Sequence, residues 1–240
     1  MKKVAQLAAI LLAGGSGSRM QSRSRDKVLE PLLGKPVFAY SVDAFRASQI
    51  FQTVCIVYRD LQQKATLQAY VEAQPSSGVQ YLWVAGGQRR QDSVFNALNS
   101  PELEADYVFI HDCARPLIQS KTLIAMWAQL QQTRAVALAH PVVDSIKQKV
   151  AGKGTDALIL RDLNRSNLWA METPQAFAYD VIQRAYTQVF DSGKHITDDV
   201  AAAECIGLAV SLYNHQACNL KITHPSDLEL AQFLLQQGGS

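Results

Sequence analysis

Five polar clusters carry the residue types that chemistry needs. The first is AGGSGSR, residues 13–19. Gly14, Gly15 and Gly17 permit a tight turn and let backbone N–H groups close around an anion. Arg19 ends this turn, and Lys27 follows beyond the polar segment QSRSRD. An arginine can fork onto two phosphate oxygens, while a lysine brings a mobile point charge. Together they suit a triphosphate attacked at its α-phosphorus; a tight turn with solvated charges is the competing reading. The turn is not a Walker A loop, because GxxxxGK[ST] is absent. It is a poor dinucleotide fingerprint, since Met20 stands where the third glycine belongs and only Asp60 offers a ribose-binding acid.

The second cluster, AGGQRRQDSV (85–94), could read a base edge with the backbone of Gly86 and Gly87 assisted by Ser93. Its plainer reading is a surface turn capping a helix through Asp92 or Ser93. In FIHDCARP (109–116), Asp112 closes an apolar run. There it could hold Mg²⁺, a hard cation that prefers carboxylate and phosphate oxygens, with Arg115 as a further phosphate donor. The alternative is a local turn in which Arg115 pairs with Asp112. HITDDV (195–200) reads as a helix start with Thr197 as N-cap and Asp198 and Asp199 in the first turn. NLKITHP (219–225) carries Lys221 in a short strand, where it could equally face solvent.

The elements that must position these clusters are legible as apolar runs. LAAILLA (7–13), TVCIVY (53–58), VQYLWV (79–84), YVFIH (107–111), AVALAH (135–140) and GLAVSLY (207–213) are mostly continuous rather than alternating. That is the pattern of parallel strands covered on both faces. Helical periodicity lies between them. Pro36 opens a helix carrying Val37, Phe38, Ser41, Val42 and Phe45; 120–132 aligns Leu123, Ile124, Trp127 and Leu130. Further helices are expected over 175–190, with Phe177, Val181, Ile182, Ala185 and Val189, and over 226–236. The expected fold is α/β with a mainly parallel sheet, binding ligands beyond the C-terminal strand ends. Residues 141–165 break the rhythm: VVDSIKQKV and ALILRDL read as a hairpin around AGKGTD, either a lid, a dimerisation arm or a plain surface hairpin.

A chain of 240 residues, 48% hydrophobic, can bury one large core. Its net charge of +2 gives no reason to expect nucleic acid. Cys55, Cys113, Cys205 and Cys218 form no CxxC pair, so buried free thiols and a cytoplasmic setting are expected rather than zinc or disulfides. The run 7–13 is too short to span a bilayer, and it leads into GGSGSR instead of a signal-peptide cleavage site, so no membrane partner is expected. The tail QQGGS is expected to fray.

The ordered set LLAGGSGSRM with Lys27, AGGQRRQDSV, HDCARP, PVVDSIK, NRSNLW with ETPQAF, ITDD and NLKITHPSDLELA resembles the 2-C-methyl-D-erythritol 4-phosphate cytidylyltransferase family over nearly the whole chain. The resemblance implies a single domain, 1–240, with a Rossmann-like nucleotidyltransferase fold, a mainly parallel central sheet and a protruding β-hairpin arm, 141–165. It implies transfer of CMP from CTP to methylerythritol 4-phosphate with Mg²⁺, in a homodimer whose subunits exchange arms.

Site residues are implied position by position. Arg19, Lys27 and Lys221 match the catalytic cations. Ala13, Gly14, Gly15 and Gly17 match the CTP phosphate loop, and Gly87, Asp92 and Ser93 match the cytosine loop. Asp112 matches the Mg²⁺–CTP acid. Arg165 and Thr197 match residues that position the acceptor, while Arg115 and Ser145 match residues that reach the partner's substrate. Asp26 and Val28 flank Lys27 where PKQ is common, LAGG replaces PAAG, Cys113 replaces an alanine, and Asn164 precedes Arg165 in place of an aspartate. The related ribitol-5-phosphate cytidylyltransferases share the chemistry on another acceptor; NRSNLW and PVVDSIK favour the methylerythritol family.

Overall fold

In the computed structural model, which describes residues 4–15, 26–150 and 159–237, the apolar runs become strands of one sheet. The elements in chain order are β1 (Leu7–Leu12), a clip of β2 (Pro31–Leu32) and β3 (Lys35–Pro36), α1 (Val37–Ser48), β4 (Thr53–Tyr58), α2 (Leu61–Glu72), β5 (Gln80–Ala85), α3 (Arg90–Leu98), β6 (Tyr107–Asp112), α4 (Ser120–Thr133), β7 (Ala135–Pro141), β8 (Lys147–Val150), β9 (Ile159–Asp162), a 3₁₀ turn at Arg165–Asn167, β10 (Trp169–Ala178), α5 (Tyr179–Asp191), α6 (Asp199–Glu204), β11 (Ser211–Asn214) and α7 (Pro225–Gln237).

The seven-stranded sheet runs β11-β7-β10-β6-β1-β4-β5. Strands β6, β1, β4 and β5 are mutually parallel, as are β11 and β7, while β10 is antiparallel to both its neighbours. Alternation along β1 explains its unbroken apolar character. Ala9 and Leu11 enter one core with Phe38, Phe45, Phe109 and Leu123; Ala8 and Ile10 enter the other with Val94, Leu98, Phe177 and Tyr186. Parallel strands that turn the same way deliver Gly14, Gly86 and Asp112 to a common edge.

Some expectations are corrected. Residues 175–178 are strand, not helix, and α5 begins only at Tyr179. In ETPQAFA the buried side chains from Glu172 to Ala178 are enclosed on both faces, so the short segment carries no period to tell strand from helix. The last strand is the shorter Ser211–Asn214. In α4 the buried stripe is Thr122, Leu123, Met126 and Leu130, and Ile124 is exposed. Cys55 and Cys113 are buried free thiols, but Cys205 is half-buried and Cys218 exposed. The hairpin forms as β8 paired antiparallel to β9, with its turn outside the described residues. Among the described residues no helix is long and apolar enough to cross a membrane. The tail's final residues, 238–240, lie outside the described residues.

Candidate functional site

The shared strand edge opens into a cavity of about 480 Å³ that Gly14, Gly15, Lys27, Gly87, Ser93, Asp112 and Lys221 help to line. Seven expected site residues, from four separate clusters, therefore converge. Ala13 does not line the cavity: it is buried, its N–H donates to Val57 O at 2.9 Å and its carbonyl accepts from Gln63 Nε2 at 3.0 Å. Gly17 and Arg19 lie outside the described residues.

Packing at the first glycine is tight. A Cβ on Gly14 would stand 3.3 Å from the Tyr58 carbonyl carbon, where β1 and β4 end side by side. Lys27 is set between two buried anchors. Asp26 accepts from Gln63 Nε2 at 2.6 Å and pairs with Arg59 at 3.1 Å, while Val28 enters the core and its carbonyl accepts from Phe38 N. These are the two positions at which the segment departs from PKQ.

The second turn is folded onto the start of α3. Gly86 N donates to Tyr58 O at 2.7 Å and Gly87 N to Ser93 Oγ at 3.0 Å, while Ser93 Oγ donates to Arg89 O. Both glycine N–H groups are thus engaged inside the chain, as are the Ala85 carbonyl, which accepts from Asn96 Nδ2, and the Arg89 carbonyl. Asp92 accepts from the Arg89 backbone N at 3.0 Å and from its guanidinium, so it organises the turn from the third helical position. A Cβ at Gly87 would stand 2.3 Å from Asp92 Cβ and 3.1 Å from its carbonyl carbon. Gly87→Ala is therefore expected to push the turn off the helix. The measurements are unfolding free energy, falling by about 1–3 kcal/mol, and the KM for nucleotide, rising. Unchanged values of both would contradict the role assigned to this contact.

Asp112 is the electrostatic centre. Arg90 Nε donates to Oδ1 at 3.0 Å and Lys221 Nζ to Oδ2 at 2.5 Å. Burial alone would raise this carboxyl, but the two cations outweigh it and hold the group well below the usual carboxylate range. Arg90 also forks onto the fully buried Asp199 at 2.9 and 2.8 Å, and Tyr186 Oη donates to the same carboxylate at 2.6 Å. Arg90 is a site residue that the sequence motifs do not single out. The available signal was helical phase, since positions 90, 94, 97 and 98 share one face of α3 and the last three are buried.

The alternative reading, in which Arg115 pairs with Asp112, is not formed: Arg115 Nη1 donates to Asn219 O at 2.7 Å, and Arg90 and Lys221 hold the carboxylate. The N-cap of α6 is Asp198, which accepts from Ala201 N at 2.9 Å, and not the exposed Thr197. Asp199 stands in the first turn of α6, as expected, with its side chain turned inward to Arg90. Lys221 lies in irregular chain, tied by Ile222 N to Ala114 O at 2.7 Å, and points to Asp112 instead of solvent. Arg115, Ser145, Arg165 and Thr197 do not line the cavity. Ser145 is exposed on the arm, and Arg165 Nη1 donates to Val143 O at 2.6 Å. Asn164 caps the 3₁₀ turn by accepting from Ser166 N and Oγ.

Among the described residues no group of three or more His, Cys, Asp and Glu could hold a metal by itself. Asp112 offers one ionised carboxylate, which suffices for a Mg²⁺ that arrives with phosphate ligands. It would have to exchange the Lys221 contact for the ion.

His111, next to Asp112, is buried with Nε2 3.3 Å from Ser41 Oγ and Nδ1 3.1 Å from Thr173 Oγ1. Burial pushes its imidazole down to about 4 from an ordinary 6.5. The unfolded chain therefore takes up this proton first as pH falls. Its stabilising contribution is complete above 6.5 and is lost progressively towards 4. The expected loss is about 3 kcal/mol, measured as urea-unfolding free energy against pH, and His111→Asn should flatten that window. An unchanged slope in the variant would contradict it.

The chain matches the family model for 2-C-methyl-D-erythritol 4-phosphate cytidylyltransferase over residues 7–237. It is 38% identical over 228 residues to the protein of that description from Synechococcus elongatus, covering 95% of each chain. It is 36% identical over 228 residues to the one from Aquifex aeolicus, covering 95% of this chain and 96% of that one. Among solved structures, 4-diphosphocytidyl-2C-methyl-D-erythritol synthase from Anaerococcus prevotii shares the fold with a TM-score of 0.82 at 23% identity, over 98% of this chain and 100% of that one. The 2-C-methyl-D-erythritol 4-phosphate cytidylyltransferase of Francisella tularensis gives 0.76 at 24%, over 96% and 100%.

Proposed function

The chain belongs to the 2-C-methyl-D-erythritol 4-phosphate cytidylyltransferase family, and we infer from that membership that it transfers CMP from CTP to 2-C-methyl-D-erythritol 4-phosphate and releases pyrophosphate. The observation that carries the chemistry is the convergence of Lys27, Asp112 and Lys221 with two glycine turns on one cavity. The acceptor phosphate attacks the α-phosphorus of CTP in line. It is largely ionised at neutral pH, so the protein need not supply a strong base. Its task is to align two anions and offset their repulsion.

In this reading Gly14 and Gly15 receive the triphosphate, with Gly17 and Arg19 extending that loop. Lys27 and Lys221 meet the charge that builds on the phosphoryl oxygens. Lys221 is held in reserve on Asp112 and transfers to phosphate as nucleotide enters. Asp112 would hold Mg²⁺, which supplies charge neutralisation on the triphosphate when bound. The Gly87–Ser93 turn reads the base. With its glycine N–H groups engaged, the Gly86 and Gly87 carbonyls suit a base that presents an exocyclic amino donor, as cytosine does and uracil does not.

Arg115, Ser145, Arg165 and Thr197 belong to acceptor recognition in a homodimer, with the arm 141–165 of one subunit reaching the other. The exposed apolar side chains Val143, Val150 and Leu160 on that arm support this. Residues 1–240 then form one nucleotidyltransferase domain, working in the cytoplasm, where its free thiols stay reduced.

The test is pyrophosphate release with Mg²⁺ across CTP, UTP, GTP and ATP against methylerythritol 4-phosphate and ribitol 5-phosphate. Release with CTP and methylerythritol 4-phosphate is expected. Release only with ribitol 5-phosphate would keep the mechanism and move the acceptor.

A further inference from the structure

Outside the cavity, one buried carboxylate gathers an unusual number of donors. Glu172, on β10, has a side chain only 6% exposed. His140 Nδ1 lies 2.6 Å from its Oε1, while His215 Nε2 at 3.0 Å and Asn219 Nδ2 at 2.7 Å share Oε2. An ionised carboxylate can only accept, so three donors from β7, the turn after β11 and the segment before Lys221 converge on one residue. Burial raises this carboxyl, but the His215, Asn219 and His140 contacts outweigh it and keep it below its ordinary value.

Asn219 is the link to the site. It is buried, its Nδ2 also donates to Thr173 O at 2.9 Å, and its carbonyl receives Arg115 Nη1. Two residues later, Lys221 leaves this anchor and reaches Asp112. The Lys221 segment has no regular secondary structure to hold it. Its fixed points are Asn219 on one side and Ile222, bonded to Ala114, on the other.

We propose that Glu172 is a positioning residue for the transfer reaction, setting through Asn219 the backbone that delivers Lys221 and the carbonyl that holds Arg115. The proposal rests on the phosphoryl-transfer role of Lys221 given above. Glu172 touches no substrate. It fixes the point from which the lysine swings between Asp112 and phosphate, and a side chain with four rotatable carbons is useful in a transition state only if its root is fixed.

The experiment is a double-mutant cycle on kcat and on both KM values, using Glu172→Leu, Lys221→Ala and the pair, with thermal unfolding of each. Glu172→Gln retains the shape and an acceptor oxygen, and serves as the conservative rescue if Glu172→Leu does not fold. Glu172→Leu is expected to lower kcat by roughly tenfold with little change in the KM for CTP. The same substitution is expected to cost less than about twofold once Lys221 is alanine. Glu172→Gln should recover most of the lost rate. Losses that multiply in the double variant, or wild-type kcat in Glu172→Leu, would overturn the positioning role while leaving the reaction intact. Wild-type kcat in Lys221→Ala would overturn both this proposal and the role of Lys221.

Discussion

Replacing Arg90 by methionine is expected to cost about 3–5 kcal/mol of stability, the usual penalty for removing one partner from a buried ion network. Asp199 is fully buried and depends on the Arg90 fork, with Tyr186 as its other donor. Asp112 would lose one of its two cations. For a chain of this size, about 2–4 °C of Tm accompanies each kcal/mol, so a fall of roughly 6–20 °C is expected. Arg90→Lys should recover little, because an ammonium cannot fork onto Asp199 and reach Asp112 together. Asp199→Asn with Arg90→Met should be less damaging than Arg90→Met alone, since the stranded buried charge is gone. Calorimetry of the three variants checks this. A Tm within a few degrees of wild type for Arg90→Met would show that water or rearrangement satisfies Asp199.

Lys27→Ala should leave the fold intact and lower kcat by roughly 10²–10³-fold, the loss seen when a group made for the transition state is removed. The structural ground is that Lys27 is borne by its neighbours. Asp26 and Val28 hold the backbone through Gln63, Arg59 and the core, so truncating the lysine leaves its setting in place. The KM for CTP should move much less than kcat, because glycine-turn contacts persist. Steady-state kinetics with single-turnover controls checks the split. A variant that turns over at the wild-type rate, or loses only in KM, would remove Lys27 from the transition state.

How much was legible depended on whether a residue's partner lay nearby in the sequence. The central strands could be read because burial on both faces leaves an unbroken apolar run. Gly14, Gly87, Asp112 and Lys27 could be placed because each follows or closes such a run or turn. ETPQAF could not be assigned to a strand, since its two-sided burial includes Glu172, Thr173 and Gln175, each satisfied by a distant partner. Arg90 and Arg89 are neighbours of the same type. One is half-buried and bridges Asp112 and Asp199, and the other grips Asp92 locally, a difference only the phase of α3 could announce. The inward turn of Asp199 was hidden because an acid in a first helical turn already has a sufficient local explanation.

The contacts that complete the site span long stretches of chain. Arg90 to Asp199 and Lys221 to Asp112 are each separated by 109 positions. The strands β1, β4, β5 and β6, by contrast, all lie in the first half of the sequence. Closing loops of that length costs entropy before the contact repays it. During synthesis the nucleotide-facing edge of the sheet can therefore assemble while Arg90 and Asp112 have only each other. The acid that locks the arginine and the lysine that joins the carboxylate are both supplied by the last third of the chain. Competence for chemistry in this sense waits on the part of the chain that is made last.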